Sequence, residues 1–177
     1  MRDYLKAQRG RLTYKKRQEK SLKIMENLIT LLDGKQNIAL YINTKDEVNT
    51  IDFVPYFLDN YKSVSASITD ETMEFYKIDN VKQLTPGYMG ILEPLPNTHV
   101  CKDDIEVIIV PMLGYDKYCN RMGYGGGFYD RYLEDFKGTI IGIAFAEQTY
   151  PLLPTNEYDV KMDYVVTDRE IIKKPKF

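Results

Sequence analysis

Residues 121–131 read RMGYGGGFYDR and place four glycines between two arginines. Because glycine gives up more backbone freedom on folding than any other residue, such a cluster indicates positive φ or a close approach to a ligand. Successive backbone N–H groups before a helix form a concave site for anions, and arginine adds charge-assisted donors that suit phosphate. The segment is therefore predicted to bind the phosphates of a nucleotide.

The spacing of the glycines differs from the two common phosphate-binding motifs. Gly123, Gly125, Gly126 and Gly127 fit neither GxxxxGKS/T nor GxGxxG. Both motifs also follow their strand directly, whereas the predicted strand at Glu106–Val110 ends well before the turn. A tight turn that packs a helix against a strand is the alternative interpretation.

Carboxylates near the turn offer a place for a metal ion. Asp130 begins the helix predicted after the turn, where it is either a ligand of hydrated magnesium or a helix cap. Asp116 and Lys117, upstream of the turn, add a second carboxylate and an ammonium group. From the residues alone, both roles of Asp130 stay open.

Basic residues are concentrated at the start of the chain. They form either a solvated helix face or a cationic wall for an anionic ligand. The net charge of the whole chain is −2, which argues against a nucleic acid as the partner of the whole surface. The basic residues that precede the first sustained apolar pattern are Arg2, Lys6, Arg9, Arg11, Lys15, Lys16, Arg17 and Lys20.

The composition is that of one folded domain, predicted to span residues 1–177, with 44% hydrophobic and 28% charged residues. The first residues, MRDYLKAQRGRL, lack the apolar core of a secretory signal, and no stretch has the length of a membrane span. We therefore expect a cytoplasmic protein that does not bind membranes, and a monomer. Cys101, Cys119 and His99 are too few for a zinc site or a disulfide framework.

The elements that must position these residues follow from hydrophobic periodicity. Gly10 interrupts the N-terminal helical pattern and Thr13 is a potential cap, so we expect two helical pieces there or one kinked helix. Further helices are predicted at Ser21–Leu32, Ile51–Tyr61 and Phe128–Phe136. Strands are predicted at Asn37–Ile42, Ser63–Ile68, Glu74–Ile78, Glu106–Val110 and Gly138–Phe145.

Helices that alternate with short apolar strands predict an α/β fold, a three-layer sandwich around a mainly parallel sheet. Ligands of such sheets bind at the carboxyl ends of the strands, where the loop NTKDEVNT at Asn43–Thr50 and the glycine turn would meet. Pro86–Pro96 is predicted to be an ordered loop because of its prolines and glycines. The tail Ile171–Phe177 is predicted to be loosely held.

The run VPMLGYDKYCNRMGYGGGFYDRYL, Val110–Leu133, closely resembles the signature of the 5-formyltetrahydrofolate cyclo-ligases, also called 5,10-methenyltetrahydrofolate synthetases. Further segments of the family recur in order along nearly the whole chain. They are LYINTKDEVNT from Leu40, EFYKI from Glu74, MGILEP from Met89, GIAFAEQ from Gly142 and YDVKMDYVVTD from Tyr158.

The resemblance implies an enzyme that converts 5-formyltetrahydrofolate to 5,10-methenyltetrahydrofolate and hydrolyses ATP to ADP and phosphate with Mg²⁺. It implies Arg121 and Tyr129 as catalytic residues and Asp130 as the magnesium ligand. The folate residues implied are Ile42, Glu47, Tyr88, Tyr124 and Phe128. The ATP residues implied are Arg2, Lys6, Arg121, Met122, Gly123, Tyr124, Gly125, Gly126, Gly127, Phe128 and Tyr129.

The N-terminus departs from the family pattern KxxLR, whose lysine and arginine reach ATP. If Thr13 is aligned with the serine at the family's helix start, Arg2 takes the place of the arginine and no residue takes that of the lysine. If RDYLK is aligned instead, Arg2 replaces the lysine and Lys6 the arginine. The sequence leaves both alignments open.

Three other functions fit less of the sequence. A non-catalytic nucleotide- or folate-binding module of the same fold would keep the glycine turn without turnover. A sugar-phosphate isomerase of similar architecture would need a proton shuttle, and no histidine or suitably spaced acid pair in the sequence offers one. RNA binding would call for aromatic and basic motifs that the chain lacks.

Overall fold

The N-terminal segment forms two helices in the computed structural model, which describes residues 1–176. Helix α1 spans Arg2–Gly10 and helix α2 spans Tyr14–Ile29. The Thr13 hydroxyl accepts a hydrogen bond from the Lys16 backbone N–H at 3.2 Å and so caps α2. Of the two alternatives, two helical pieces or one kinked helix, the structure has the first, and α2 begins before the predicted Ser21.

The other two helices are shorter than predicted. Helix α3 spans Val54–Asn60, directly after a 3₁₀ turn at Ile51–Phe53, and carries Pro55 in its first turn where proline is tolerated. Helix α4 spans Phe128–Leu133 and so ends before the predicted Phe136. Further 3₁₀ turns lie at Val81–Gln83, Tyr88–Gly90, Lys102–Asp104 and Ala146–Gln148.

Eight strands form the central sheet, in the order β12-β11-β10-β7-β1-β2-β3-β6. The inner pairs β11–β10, β10–β7, β7–β1 and β1–β2 are parallel, and the outer pairs are antiparallel. The strands are β1 Asn37–Leu40, β2 Ser63–Thr69, β3 Met73–Lys77, β4 Thr85–Pro86, β5 Leu92–Glu93, β6 His99–Val100, β7 Val107–Pro111, β8 Gly114–Tyr115, β9 Arg121–Met122, β10 Thr139–Ile143, β11 Tyr164–Val166 and β12 Ile171–Lys173.

Two expectations about the strands need correction. The tail was expected to be loosely held, but Ile171–Lys173 pairs antiparallel with β11, so that expectation is wrong for these residues. Phe177 lies outside the described residues. The strand predicted at Glu106–Val110 is displaced by one residue, to Val107–Pro111, and Pro111 lies beside Ile143. A proline is tolerated at this end because the ladder stops there.

Side chains of the sheet are buried on both faces, as a parallel sheet requires. Along β7, Val107 and Ile109 face the core under α2 and α3, whereas Ile108 and Val110 face the core under α4. The three-layer α/β fold predicted from the sequence is confirmed. Within residues 1–176, no helix is both long and apolar enough to cross a bilayer.

Helix α1 lies at the end of the sheet where the parallel strands finish. Its Leu5 is fully buried and packs with Leu113, Met122 and Leu153 in a small separate core. A Cβ at Gly114 would come within 2.5 Å of Leu5 Cδ1, so the glycine gives α1 the room to dock. This contact brings the cationic N-terminus to the carboxyl ends of the strands.

The contact between α2 and the sheet predicts a stability difference between two leucines of one helix. Leu28 is fully buried, so Leu28→Ala should lower the free energy of unfolding by about 2–5 kcal/mol, the usual cost of a lost core side chain. Leu22 is 52% exposed, so Leu22→Ala is the matched control, with a change within about 0.5 kcal/mol. Urea unfolding measures both, and equal losses would contradict the assigned face of α2.

Candidate active site

A cleft of about 1300 Å³ opens at the carboxyl edge of the sheet. Its walls are the loop after β1, the ends of β2 and β7, the β4–β5 hairpin, the glycine turn and residues 154–160. The loop at Asn43–Thr50 and the glycine turn therefore meet at one site, as the fold prediction required. Every site residue that the family resemblance implies lines this cleft.

A small hairpin fills the interval between β7 and the glycine turn. Strands β8 and β9 pair antiparallel, and the fully buried Asp116 holds the connection between them. Asp116 Oδ1 accepts hydrogen bonds from the backbone N–H groups of Tyr118 and Asn120, and Oδ2 accepts one from that of Leu153. Asp116 therefore organises the hairpin from outside the cleft, and its suggested role as a metal carboxylate is wrong.

Two of the four glycines have conformations that other residues rarely adopt. Gly125 has φ +105° and Gly127, which is the N-cap of α4, has φ +71°. A Cβ at Gly127 would also lie 2.7 Å from the Arg131 guanidinium. The helix start is thus capped by a left-handed glycine rather than by the Asp130 side chain, so the capping role considered for Asp130 is not realised.

Arg121 presents a positive charge to the cleft from a fixed position. Its Nε donates to the Pro111 carbonyl at 2.8 Å, and its guanidinium lies 5.1 Å from the centre of the Tyr129 ring. Burial lowers the pKa of Arg121 while the charge of Asp130 opposes this, and an arginine remains protonated under such conditions. Within residues 1–176 no carboxylate lies within 4.0 Å of it, so the cation is available to an anionic ligand.

Arg131, the second arginine of the motif, lines the cleft and braces the glycine turn. Its Nη1 donates to the Gly126 carbonyl at 3.0 Å, and its guanidinium lies 5.0 Å from the centre of the Phe128 ring. The edge of the Phe128 ring also meets Tyr88, with 6.0 Å between the ring centres. Tyr88 is at the tip of the β4–β5 hairpin, so this aromatic pair closes one side of the cleft.

Glu47 is buried in the loop after β1, with 9% of its surface exposed. Its Oε1 accepts hydrogen bonds from the Thr44 backbone N–H at 2.7 Å and from the Thr44 hydroxyl at 2.8 Å. Its Oε2 accepts one from the Tyr124 hydroxyl at 3.2 Å. A carboxylate offers about four acceptor sites, two on each oxygen, so Oε2 retains capacity for a ligand N–H whereas both sites of Oε1 are occupied by Thr44. Ile42 is buried just before this loop and lines the same wall.

Tyr124 and Tyr129 lie close enough to Glu47 for its charge to affect their hydroxyl groups. Burial, then the charge of Glu47, raises the pKa of Tyr124 to about 12. Burial also raises the pKa of Tyr129 above its ordinary value, against the opposing charge of Arg121, and the Ser67 hydroxyl lies beside it. Both phenols are therefore neutral donors near pH 7.

The two N-terminal cations predicted to reach ATP both line the cleft. Arg2 Nε donates to the Gly123 carbonyl at 3.1 Å, which ties α1 to the glycine turn. Lys6 lies one helical turn further, and Leu5 between them is fully buried. This pattern fits the alignment of RDYLK with KxxLR, since both cations and the intervening leucine have the required orientation.

Asp130 is the carboxylate that the family resemblance implies as the magnesium ligand. Asp130 lines the cleft, and its Oδ1 accepts a hydrogen bond from the Val160 backbone N–H at 3.1 Å. No group of three or more histidine, cysteine, aspartate or glutamate side chains in the described chain could hold a metal by itself. One free carboxylate oxygen fits Mg²⁺, which keeps most of its waters and binds mainly through substrate phosphates.

The sequence prediction missed Arg9, which is 7% exposed and donates through Nη1 to the Tyr124 hydroxyl. It had appeared only as one of many basic residues near the start. A usable signal was present, because Arg2, Lys6 and Arg9 are spaced for one face of a helix. Thr44, which holds Glu47, was also missed and has no comparable signal.

A sequence profile described as the 5-formyltetrahydrofolate cyclo-ligase family matches residues 1–168. The chain belongs to this family. The probable 5-formyltetrahydrofolate cyclo-ligase of Schizosaccharomyces pombe is 28% identical over 195 residues, which cover 98% of this chain and 96% of that relative. The family resemblance predicted from the motifs is thereby confirmed.

Solved structures agree with the family assignment. The NMR structure of 5,10-methenyltetrahydrofolate synthetase from Aquifex aeolicus matches with a TM-score of 0.88 and 28% identity, over 99% of this chain and 92% of that one. The corresponding synthetase from Mycoplasma pneumoniae matches with a TM-score of 0.76 and 26% identity, over 94% of this chain and 96% of that one. The cyclo-ligase fold thus extends over the described chain.

Because Gly125 has a left-handed backbone and Gly10 does not, alanine at these two positions should change the free energy of unfolding in opposite directions. Gly125→Ala should lower the free energy of unfolding by about 1–3 kcal/mol, since φ +105° strains any residue with a Cβ. A Cβ there would touch nothing closer than 3.8 Å, so the loss would report backbone strain alone. Gly10→Ala in α1, where nothing lies within 4 Å, should instead stabilise by roughly 0.5–1 kcal/mol. Urea unfolding of both variants decides, and a neutral Gly125→Ala would contradict the turn conformation.

Proposed function

We propose that this protein converts 5-formyltetrahydrofolate to 5,10-methenyltetrahydrofolate in an ATP-dependent reaction that releases ADP and phosphate. The observation that carries the proposal is one cleft, in a chain of the cyclo-ligase family, that joins Glu47 to the glycine turn. At about 1300 Å³ the cleft exceeds the roughly 300–1,000 Å³ of a single-ligand pocket, which leaves room for two substrates.

Glu47 is the group that recognises the folate. The edge of a pterin ring displays adjacent N–H donors, which a carboxylate accepts in bidentate fashion. Glu47 Oε2 has a free acceptor site for one donor, and Oε1 accepts the other when the Thr44 hydroxyl turns away from it. Thr44 already holds one Glu47 oxygen in place, so little side-chain entropy is lost on binding. Ile42 supplies an apolar wall, and Tyr88 and Phe128 offer aromatic faces or edges to the ring.

The glycine turn and its surrounding cations bind ATP. Backbone from Arg121 to Tyr129 approaches the phosphates closely because Gly123 and Gly125–Gly127 carry no side chains. Arg121 stabilises the charge that develops on the transferred phosphoryl group, and Tyr129 keeps its guanidinium in place by stacking. Arg2 and Lys6 add charge from α1.

Asp130 would hold the magnesium ion that accompanies ATP. When bound, the ion would neutralise part of the charge on the phosphate oxygens. The Val160 backbone N–H that binds Asp130 Oδ1 fixes the carboxylate and leaves Oδ2 for a water of the hydrated ion.

The chemistry of the reaction assigns the protein a positioning task. The formyl oxygen attacks the γ-phosphorus of ATP, the bond from that phosphorus to the ADP oxygen breaks, and ADP leaves. The aniline nitrogen of the folate then bonds to the formyl carbon and loses its proton, and the C–O bond breaks to release phosphate. Binding the two substrates in line, with Arg121 beside the phosphoryl group, accounts for this sequence without a covalent enzyme intermediate.

Arg121→Ala tests the phosphoryl-transfer role. Turnover should fall by about 10²–10³-fold, the usual loss when one preorganised donor to developing charge is removed. The assay follows the near-ultraviolet absorbance of the methenyl product after addition of 5-formyltetrahydrofolate and magnesium ATP. Arg169→Ala, whose side chain is 72% exposed and remote from the cleft, is the control that should keep the wild-type rate.

Two results of this assay would count against the proposal. A folded Arg121→Ala variant with the wild-type rate would remove the assigned role of Arg121. A wild-type protein that binds both substrates but forms no methenyl product with magnesium ATP would instead favour the non-catalytic binding module.

Glu47→Gln tests the folate contact. The amide keeps the shape of the side chain but loses the negative charge and replaces an acceptor by a donor, so the KM for 5-formyltetrahydrofolate should rise by roughly 10-fold or more. The KM for ATP should stay close to the wild-type value. Asp46→Asn, at the adjacent residue outside the cleft, is the matched control. An unchanged folate KM in Glu47→Gln would show that the pterin is held elsewhere.

A further inference from the structure

Arg9 is a buried cation without an ion-pair partner in the described chain. It is 7% exposed, and within residues 1–176 no carboxylate lies within 4.0 Å of its guanidinium. Its Nε is also buried and lacks a hydrogen-bond partner there. Burial of an unpaired charge is energetically unfavourable and needs compensation. Helix α1 does not need Arg9 in order to dock, because Leu5 already provides an apolar anchor.

The hydroxyl of Tyr124 connects Arg9 to the Glu47 carboxylate. It accepts a hydrogen bond from Arg9 Nη1 and donates one to Glu47 Oε2 at 3.2 Å. The Arg9 guanidinium also lies 5.6 Å from the centre of the Tyr124 ring. The opposite charges of Arg9 and Glu47 therefore lie on either side of one phenol. The hydrogen bond from Arg9 polarises the Tyr124 O–H and strengthens its hydrogen bond to Glu47.

We infer that Arg9 is a positioning residue for folate binding: through Tyr124 it fixes Glu47 Oε2, so that the carboxylate meets the folate in a single orientation. Arg9 itself does not line the cleft, unlike Arg2 and Lys6, so it contacts neither substrate. The inference rests on the proposed function, because it assigns Arg9 to the folate half of that reaction.

The hydrogen bonds from Arg9 to Tyr124 and from Tyr124 to Glu47, called the relay below, also connect two walls of the cleft. Tyr124 belongs to the glycine turn, which is proposed to bind ATP, and Glu47 belongs to the loop after β1, which is proposed to bind the folate. The Tyr124 hydroxyl therefore joins the two binding regions. Glu47 Oε1 is held locally by Thr44, and only Oε2 depends on the turn. Loss of the relay should therefore loosen half of the carboxylate and weaken folate binding without abolishing it.

A kinetic double-mutant cycle tests the relay with Arg9→Gln, Tyr124→Phe and the double variant. Each single change should raise the KM for 5-formyltetrahydrofolate by about 10-fold, the loss expected for one hydrogen bond to a charged group. The double variant should show the same increase as the single ones, because both changes break the same connection. In Arg9→Gln the turnover number and the KM for ATP should change little, because Arg9 does not line the cleft. Arg11→Gln, two residues further along and exposed, is the matched control and should leave all three values unchanged.

A purely structural role for Arg9 would give a different pattern. Arg9→Gln would then lower the free energy of unfolding. It would also raise the folate KM by the same factor with and without the Tyr124→Phe change, and such additivity would overturn the relay. Arg9→Lys supplies a further check. A lysine retains the charge and a donor, so its folate KM should lie between those of Arg9→Gln and the wild type.

An NMR measurement separates failure of the relay from failure of the proposed function. The Cζ resonance of Tyr124 in protein with isotope-labelled tyrosine, assigned by its absence in Tyr124→Phe, should move after Arg9→Gln and after Glu47→Gln but not after Arg11→Gln. A moved resonance in a protein without methenyl-forming activity would overturn the proposed function and keep the hydrogen-bond relay. An unmoved resonance in an active enzyme would overturn the relay alone.

Discussion

The parallel pairing of β1 between β2 and β7 is the constraint on which the site depends. Ile38 lies beside Val64 on one side and Val107 on the other, so all three strands run in the same direction and finish at the same edge. The loop that carries Glu47 and the strand end that anchors Arg121 are thereby brought together. Residues far apart in the sequence meet because the strand ladder fixes their common edge.

Features set by short stretches of chain were predictable from the sequence. The Thr13 cap depends only on the next three residues, and the glycine turn depends on backbone freedom within a few positions. The apolar runs that became β7 and β10 were recognisable because both of their faces are buried. Glu47 was found through the family resemblance, because an acid in a polar loop has no distinctive local pattern.

Features set by partners distant in sequence were not predictable in the same way. The β8–β9 hairpin is held by Asp116, whose partners include the backbone of Leu153, and no local pattern indicates that contact. Strand β12 is a short segment of three residues that pairs along the edge of β11, and the sequence around Ile171–Lys173 does not reveal that partner. Helical spacing placed Arg9 beside Lys6 and Arg2, but it could not show that Arg9 alone turns inward to a tyrosine.

The close packing of Gly114 against Leu5 restricts how this protein can be altered. Because the space beside Leu5 leaves no room for a Cβ at residue 114, a larger residue there demands a smaller one at residue 5. Helix α1 carries Arg2 and Lys6, so any shift of its axis would also move the positive charges along the cleft. The affinity for an anionic ligand can thus be tuned by two apolar positions that never touch it, and efforts to redesign the site should vary this pair together.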